Sequence, residues 1–436
     1  MIINKKEVSC LVAFCLAILC TAGFAQNLNP SNLTSSPYTR YGFGKLGTVG
    51  NTSTRAMGDA GIALRSNLYT NLYNPASLTA IDTLTLLFDT GLDAEWFSVS
   101  ENGSHEYDWN AGFSYMTFHF PLWNRFAGSI AYTPYSMVGY EYGNESKEAI
   151  GNALTSNDTL VYSNSYSGNG GLQHFQLSLA WEPLKARTQT LNLGASIGYI
   201  CGTVEHAGSM YVSSGQSNST YSGRNFTVKG FDVLLGAQYT HLLGPSRNLV
   251  FGATFAPRTP LSVHSDVTKV SGSDTVSTSS KITLYAPLKF GAGVSYQYDR
   301  RLTLTGEYSF ENWSKVAGFD ANLNKADDVY QNISKVAFGA EYRPKTYAQN
   351  YFQTCLYRMG ASIKSSYIET YGSQNTEYSV SCGIGMPTLN KRSVFNFSVA
   401  YTHLQPSKSH MLSENYLHFT VGITFNEMMF YRSRLF

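Results

Sequence analysis

Residues 83–426 repeat a single unit, in which about ten residues alternate between apolar and polar and a turn or polar loop follows. Residues 395–401 and 417–425 show it most clearly. Because successive side chains of a strand point to opposite faces, each unit forms a strand with one apolar and one polar face. Such strands either pack into a soluble sandwich around a dry core or close into a membrane barrel whose apolar faces meet lipid.

Composition favours the barrel. Charged residues make up 14% of the chain, where about 25% is usual, and aromatic residues make up another 14%. A wall in contact with lipid carries few charges, and membrane barrels have aromatic girdles at both interfaces. A seven-bladed propeller also contains many short strands, but it needs a repeated blade motif that the sequence lacks. We therefore predict an all-β fold, a transmembrane antiparallel β-barrel.

The first 25 residues have the parts of a secretory signal peptide. Lys5 and Lys6 form a basic region, residues 11–19 form a short apolar core, and residues 23–25 supply small residues at the cleavage positions. We predict that residues 1–25 are removed and that the mature chain starts at Gln26. No later stretch reaches the roughly 18 apolar residues of a membrane helix. An exported barrel belongs in the outer membrane of a Gram-negative cell.

Charge and cysteine content exclude several functions. Without the signal the chain keeps 29 of its 31 basic and 28 of its 29 acidic residues, so no positive field is available to attract nucleic acid. Cys201, Cys355 and Cys382 then remain, and an odd number on separate strands indicates neither a disulfide framework nor a metal site. Cys382 alternates in phase with apolar neighbours, which predicts a lipid-facing position.

The alternation divides residues 83–426 into fourteen strands, an even number that returns both ends of the barrel to the periplasm. Short turns alternate with mostly longer polar loops, among them 143–171, 266–280 and 314–333. That alternation is typical of bacterial barrels. Residues 427–436 are predicted to be a tail. The predicted strands are 83–99, 109–120, 126–142, 172–182, 190–212, 224–241, 248–265, 281–298, 302–313, 334–343, 354–366, 376–386, 393–405 and 416–426.

Residues 26–82 do not alternate and are rich in glycine. The run 42–47 matches the dinucleotide fingerprint GxGxxG, but no predicted strand precedes it and the chain is exported, so we expect no cofactor. A barrel of fourteen strands leaves a lumen unless something fills it. We predict that residues 26–82 fold back inside as a hatch. The alternative is a disordered periplasmic leader.

This segment resembles the amino-terminal hatch of the FadL family of outer-membrane transport proteins. The likeness lies in Gly58, Gly61 and the motif Asn74-Pro75-Ala76. Further likenesses follow in the family's order along almost the whole mature chain, and the segments 36–42 and 426–430 look more like a Bacteroidota-type branch. The other matching positions are 133–135, 286–288, 308–314, 357–361 and 385–387.

The resemblance implies passive, ligand-gated transport of hydrophobic compounds such as long-chain fatty acids. In the family the ligand enters the lumen and leaves sideways through a gap at a kinked third strand, which here points to Pro134 and Tyr135. Pro134 cannot donate to a ladder, so in a closed wall it indicates a bulge or opening. Alternatively, the strand has already left the bilayer there and Pro134 begins a loop.

No nucleophile, metal or kinase motif is present around the nine His residues, so the chain is not expected to be an enzyme. Glu307 alternates in phase with small polar residues and is predicted to face the lumen. A lumen carboxylate needs a partner or water, and Arg358 is the candidate. A structural ion pair is the simpler interpretation of the two residues, and a proton relay is the alternative.

Two functions remain. The first is passive transport of a hydrophobic small molecule or lipid across the outer membrane. The second is a non-transporting partner barrel in an outer-membrane protein export or assembly complex, with the long loops and residues 427–436 as contact surfaces for other subunits. An outer-membrane enzyme would require an arranged nucleophile and base.

Overall fold

A computed structural model describes residues 34–83, 85–101, 104–149, 159–213, 218–316, 318–319, 325–326, 330–345, 348–370, 372–388, 392–408 and 412–428. The predicted signal peptide, the start of the predicted hatch and most of the predicted tail lie outside these residues. The strands are β1 (Lys45–Leu46), β2 (Thr85–Glu101), β3 (Ser104–Trp123), β4 (Phe126–Ala149), β5 (Thr159–Lys185), β6 (Gln189–Ser213), β7 (Asn218–Gly244), β8 (Arg247–Ala256), β9 (Thr259–Ser271), β10 (Asp274–Ala286), β11 (Leu288–Tyr298), β12 (Leu302–Asn312), β13 (Gly318–Phe319), β14 (Lys325–Ala326), β15 (Ile333–Tyr342), β16 (Leu356–Thr370), β17 (Ser373–Pro387), β18 (Val394–Gln405) and β19 (Ser413–Met428).

Fourteen antiparallel strands close into a barrel, as predicted. Each pairs with its neighbours in sequence, and β19 closes the circle by pairing with β2 along its whole length. Two wall strands are interrupted at prolines: β8 continues as β9 beyond Pro257, and β10 continues as β11 beyond Pro287. Each of the fourteen predicted strands corresponds to one wall strand.

The apolar faces point outward. Met359, Val380 and Phe338 are between 63% and 65% exposed, whereas Asn192 and Gln238 are fully buried. A soluble sandwich would show the reverse, so the arrangement of apolar residues confirms the barrel. Cys382 is exposed, as its phase predicted. Among the described residues, no helix combines the length and apolar composition that crossing a bilayer requires.

Two predicted loops are largely strand. Within residues 143–171, β4 and β5 remain paired as far as Ala149 and Thr159, and residues 266–280 form the tip of the β9–β10 hairpin. The loop prediction failed there because polar residues on both faces hide the alternation, while cross-strand pairing still satisfies the backbone. The strands β4, β5, β6, β7, β9 and β10 therefore rise together beyond the rest of the barrel. At the other end, β19 includes the first two residues of the predicted tail.

Residues 34–83, here called the amino-terminal segment, contact the inner faces of strands around the whole barrel. They contain three short helical turns: Pro37–Arg40, Thr52–Arg55 and Pro75–Ala80. Phe43 joins a buried apolar cluster with residues of β4 to β7, β9, β10 and β16, centred on Trp313. The interior is therefore not uniformly polar. Where these strands extend beyond the rest of the barrel, some of their apolar side chains also face inward.

Candidate functional site

The ladder between β3 and β4 is incomplete. Seven residue pairs join the two strands, from Trp123↔Phe126 to Met116↔Tyr132, and the pairing ends there. Beyond this point the described residues of β3 pair with β2, and those of β4 pair with β5 and β1. The barrel wall consequently has a gap between β3 and β4.

A β-bulge lies on each side of the gap. In β3 the pairing with β2 skips Ser114, and in β4 the pairing with β5 skips Tyr135. A bulge bends its strand and increases the local twist, which turns the two strands away from each other. Pro134 directly precedes the bulge in β4. It has no N–H, so it cannot donate a backbone hydrogen bond at the point where the ladder is interrupted.

Strand β1 of the amino-terminal segment occupies the gap. Lys45 and Leu46 pair with Met137 and Ser136 of β4, and the Gly47 amide donates to the carbonyl oxygen of Tyr135 at 2.9 Å. The close approach requires glycine, because a Cβ on Gly47 would overlap the carbonyl of Pro134. Two residues of β1 therefore stand where a continuous wall would have β3.

The run 42–47 that matches the dinucleotide fingerprint is this same stretch. Gly42 and Gly44 have φ angles of +61° and +82°, which favour glycine, and they place Phe43 between them in the apolar cluster. The Phe43 amide donates to the hydroxyl of Tyr367 at 3.2 Å. The glycines allow the chain to turn and to approach β4, and the next helical turn begins only at Thr52.

Residues 34–41 cross the inside of the same gap. Thr39 donates through its hydroxyl to the Gly139 carbonyl of β4 at 3.1 Å. Ser36 donates to Glu414 of β19 at 2.7 Å, and the Ser35 hydroxyl lies 3.2 Å from Asn110 of β3. These contacts connect both margins of the gap to the amino-terminal segment.

A cavity of about 430 Å³ lies directly behind the gap. Thr133, Pro134 and Tyr135 of β4 and residues 44–49 of the amino-terminal segment line it. The sequence-predicted opening residues Pro134 and Tyr135 thus lie between an internal cavity and an interruption of the wall.

Five cationic side chains line the cavity, and each lies within 4 Å of a carboxylate. The pairs are Lys45–Glu95 at 2.6 Å, Arg55–Asp93 at 3.4 Å, Lys289–Glu311 at 3.2 Å, Lys335–Asp59 at 3.3 Å and Lys364–Glu377 at 3.4 Å. Three further carboxylates, Asp232, Glu307 and Glu414, also line it. Burial opposes ionisation of Asp59, but the Lys335 ammonium, the Tyr73 hydroxyl and Arg55 together outweigh it and hold the pKa of Asp59 below its usual value. The cavity is therefore lined by more carboxylates than cations.

Glu307 faces inward, as its phase predicted, but Arg358 is not its partner. Glu307 accepts hydrogen bonds from the amides of Gly61 and Ile62 at 2.7 and 2.8 Å and lies 3.9 Å from Lys335. Arg358 instead donates to Glu341 at 2.7 Å, directly across the ladder, and to Asn396 at 2.8 Å. The expected contact was wrong because partner choice depends on register, which alternation alone does not give.

The predicted hatch residues make close contacts with the wall. Gly58 has a φ of +69° and its amide donates to Ser381 at 2.9 Å, while Gly61 is held by Glu307. Asn74 caps the turn that contains Pro75 and Ala76. Wall glycines make room for this motif: a Cβ on Gly236 would overlap Asn74, and one on Gly194 would overlap the backbone of Pro75 and Ala76.

A family model named BamG matches residues 5–435, almost the whole chain. The chain belongs to the BamG family. A comparison of the chain with curated proteins gives no match.

Solved structures similar to this BamG-family barrel are described as transporters and channels. The toluene transporter TodX of Pseudomonas putida is 14% identical with a TM-score of 0.55, and the match covers 88% of this chain and 100% of TodX. The monoaromatic hydrocarbon channel CymD is 16% identical with a TM-score of 0.53, covering 90% and 100%. A FadL homologue of Pseudomonas aeruginosa is 11% identical with a TM-score of 0.55, covering 87% and 99%. At these identities the comparison establishes a shared FadL-type barrel fold.

Sequence reasoning missed most of the charged pairs in this BamG-family barrel. Lys335 and Glu95 occupy inward positions of their strands, so the alternation could have predicted that both side chains face the lumen. Their partners Asp59 and Lys45 belong to the amino-terminal segment, which has no period. The bulge at Ser114 lies opposite Gly91 of β2, but a single glycine in a strand does not by itself identify which neighbouring strand is bulged.

Proposed function

We propose that this protein passively conducts small hydrophobic or amphipathic compounds across the outer membrane. A compound enters the cavity and leaves sideways into the membrane through the gap between β3 and β4. The observation that carries this proposal is the cavity directly behind an interrupted ladder, where β1 and the adjoining residues of the amino-terminal segment occupy the gap. A volume of about 430 Å³ lies within the range of ligand sites. Solved structures with this fold, described as a toluene transporter and a monoaromatic hydrocarbon channel, support a transport function.

In this proposal the amino-terminal segment is the hatch and residues 34–47 are its moving part. Displacing residues 34–47 breaks the two-residue ladder of β1, the Lys45–Glu95 pair, the packing of Phe43 and several hydrogen bonds. The glycine-dependent contacts of Gly58, Gly61 and Asn74-Pro75-Ala76 hold the remainder in place. In this proposal an entering compound opens the gap by competing with β1 for the space beside Pro134, so the ligand itself gates its transport. The family resemblance implies fatty-acid-like compounds.

The test is a disulfide that locks β1 in the gap. Leu46 and Ser136 are cross-strand partners, so L46C/S136C in a background with Cys201, Cys355 and Cys382 replaced should form a crosslink on oxidation. We expect the crosslinked protein to lose uptake of a labelled hydrocarbon in proteoliposomes and to regain it after reduction. The matched control is L92C/V421C, which crosslinks β2 to β19 across an intact seam and should leave uptake unchanged. Undiminished uptake through fully crosslinked L46C/S136C would refute the lateral route.

A second candidate function, a partner barrel of an outer-membrane complex, is favoured by the outward extension. The hairpin arms β9 and β10 are each 13 residues long, which corresponds to about 40 Å along the strand. Tyr211, Tyr221 and Val276 on this extension are between 43% and 62% exposed. Exposed apolar residues on a rigid projection suit contact with another protein.

Copurification separates the two functions. Extraction in mild detergent should yield stoichiometric partner proteins if the barrel is a subunit, and Y211S/Y221S should then release them. A lone barrel that retains hydrocarbon uptake would exclude the subunit role as its main function.

A further inference from the structure

Among the described residues, the cavity behind the gap offers no cationic side chain that is free of a carboxylate. Its five cationic side chains are all committed to carboxylates of the protein, at distances from 2.6 to 3.4 Å. Asp232 and Glu307 add negative charge beyond these pairs, and Asp232 has His174 as a neighbour at 2.9 Å. A carboxylate ligand entering here would lose its hydration without gaining a cation, which is costly in a site of low dielectric.

A second observation concerns a carboxylate oxygen and three hydroxyl groups at the gap. Glu95 Oε1 and the hydroxyl oxygens of Ser114, Tyr135 and Ser136 are buried and have no hydrogen-bond partner among the described residues. Glu95 is 2% exposed and Ser114 is likewise 2% exposed. Buried polar atoms almost always have partners, and the unshared oxygen of a carboxylate can be satisfied only by a donor.

We propose that the compound carried by this barrel has a polar end that donates hydrogen bonds, as an alcohol, phenol or amine does, and is not a carboxylate. The donor binds beside Glu95 and Ser114 at the gap, and the hydrocarbon part lies along Pro134 and Tyr135. This inference rests on the proposed transport function and replaces the fatty-acid anion that the family resemblance implies.

Binding of four compounds of matched size to the purified mature protein in nanodiscs tests the inference. The compounds are 2-phenylethanol, 2-phenylethylamine, phenylacetate and ethylbenzene, with titration calorimetry as the readout and empty nanodiscs as the blank. We expect the alcohol and the amine to bind at least about tenfold more tightly than phenylacetate, a difference of about 1.4 kcal/mol. The comparison uses the wild-type protein, so it does not depend on a variant that folds.

A variant sharpens the result. E311Q removes the charge that faces Lys289 but keeps an acceptor for the Trp313 indole N–H, which lies 2.8 Å away. It should improve phenylacetate binding about tenfold relative to 2-phenylethanol. The control E182Q breaks the Lys185 pair, which does not line this cavity, and should change neither.

The outcomes are distinguishable. Phenylacetate binding as tightly as the alcohol would overturn the inference and leave transport standing. If none of the four compounds binds, ethylbenzene included, the transport proposal fails and the inference fails with it.

Discussion

Two seams of the same barrel wall behave differently. At the closing seam, β19 pairs with β2 along its entire length from Ser413↔Ser100 to Met428↔Thr85 without a register shift. At the β3–β4 seam only seven pairs form, and two bulges and a proline end the ladder. The first seam joins the ends of the barrel, so its failure would expose two strand edges. The second can be interrupted because seven pairs already hold the strands, and a segment from inside supplies the missing backbone partners.

The largest expected difference between the seams appears when each loses its partner strand. Deleting residues 413–428 removes β19, so we expect no folded, heat-modifiable barrel on gel electrophoresis. Deleting residues 34–47 removes the filling of the gap and the Lys45–Glu95 pair but none of the fourteen wall strands, and we expect a barrel that keeps its heat-modifiable mobility. A deletion of 34–47 that also abolishes the folded form would show that β1 belongs to the wall and is not a removable part.

Lys45 connects the amino-terminal segment to the wall through Glu95 of β2, which is 2% exposed. K45M leaves that carboxylate buried with only His418 near it, at 3.5 Å. We expect the free energy of unfolding in urea to fall by about 2–3 kcal/mol, less than the 3–5 kcal/mol of a fully buried pair because Lys45 keeps part of its exposure. The control is R301M, whose pair with Asp299 is exposed on both sides and should contribute about 0–1 kcal/mol. Equal losses in the two variants would contradict a special role of Lys45 at the gap.

Gly47 tests how closely the segment must approach β4. A valine there would collide with the carbonyl of Pro134, so G47V should cost about 1–2 kcal/mol of unfolding free energy and loosen β1. The matched control is G244V in the β7–β8 turn, where a Cβ would meet nothing within 4 Å. We expect protease cleavage near residue 45 to increase in G47V but not in G244V. Unchanged cleavage would mean that the contact at Pro134 does not hold the segment.

Much of the fold was predictable from the sequence because alternation is a local property. It gave the fourteen strands, the outward direction of their apolar faces and the inward position of Glu307. It could not give the contacts between strands: Glu341 and Arg358 are direct cross-strand partners, and Lys335 is opposite Ser309, next to Glu307, and both facts require the register. The amino-terminal segment has no period, so its path through the gap was not predictable from the pattern. Pro134 alone marked the position.

Pro134 should have the smallest effect, because the two bulges are sufficient to end the ladder. In P134T the backbone regains an N–H donor, but Ser114 and Tyr135 still break the register of β3 and β4 against their other neighbours. We expect the unfolding free energy to change by less than about 0.5 kcal/mol and hydrocarbon uptake to stay near the wild-type rate. Deleting Tyr135 in the same background removes one bulge, so it should lengthen the β3–β4 ladder and reduce uptake. If P134T alone abolished uptake, the proline and not the two bulges would be the cause of the gap. The difference between the two seams would then depend on a single missing hydrogen bond.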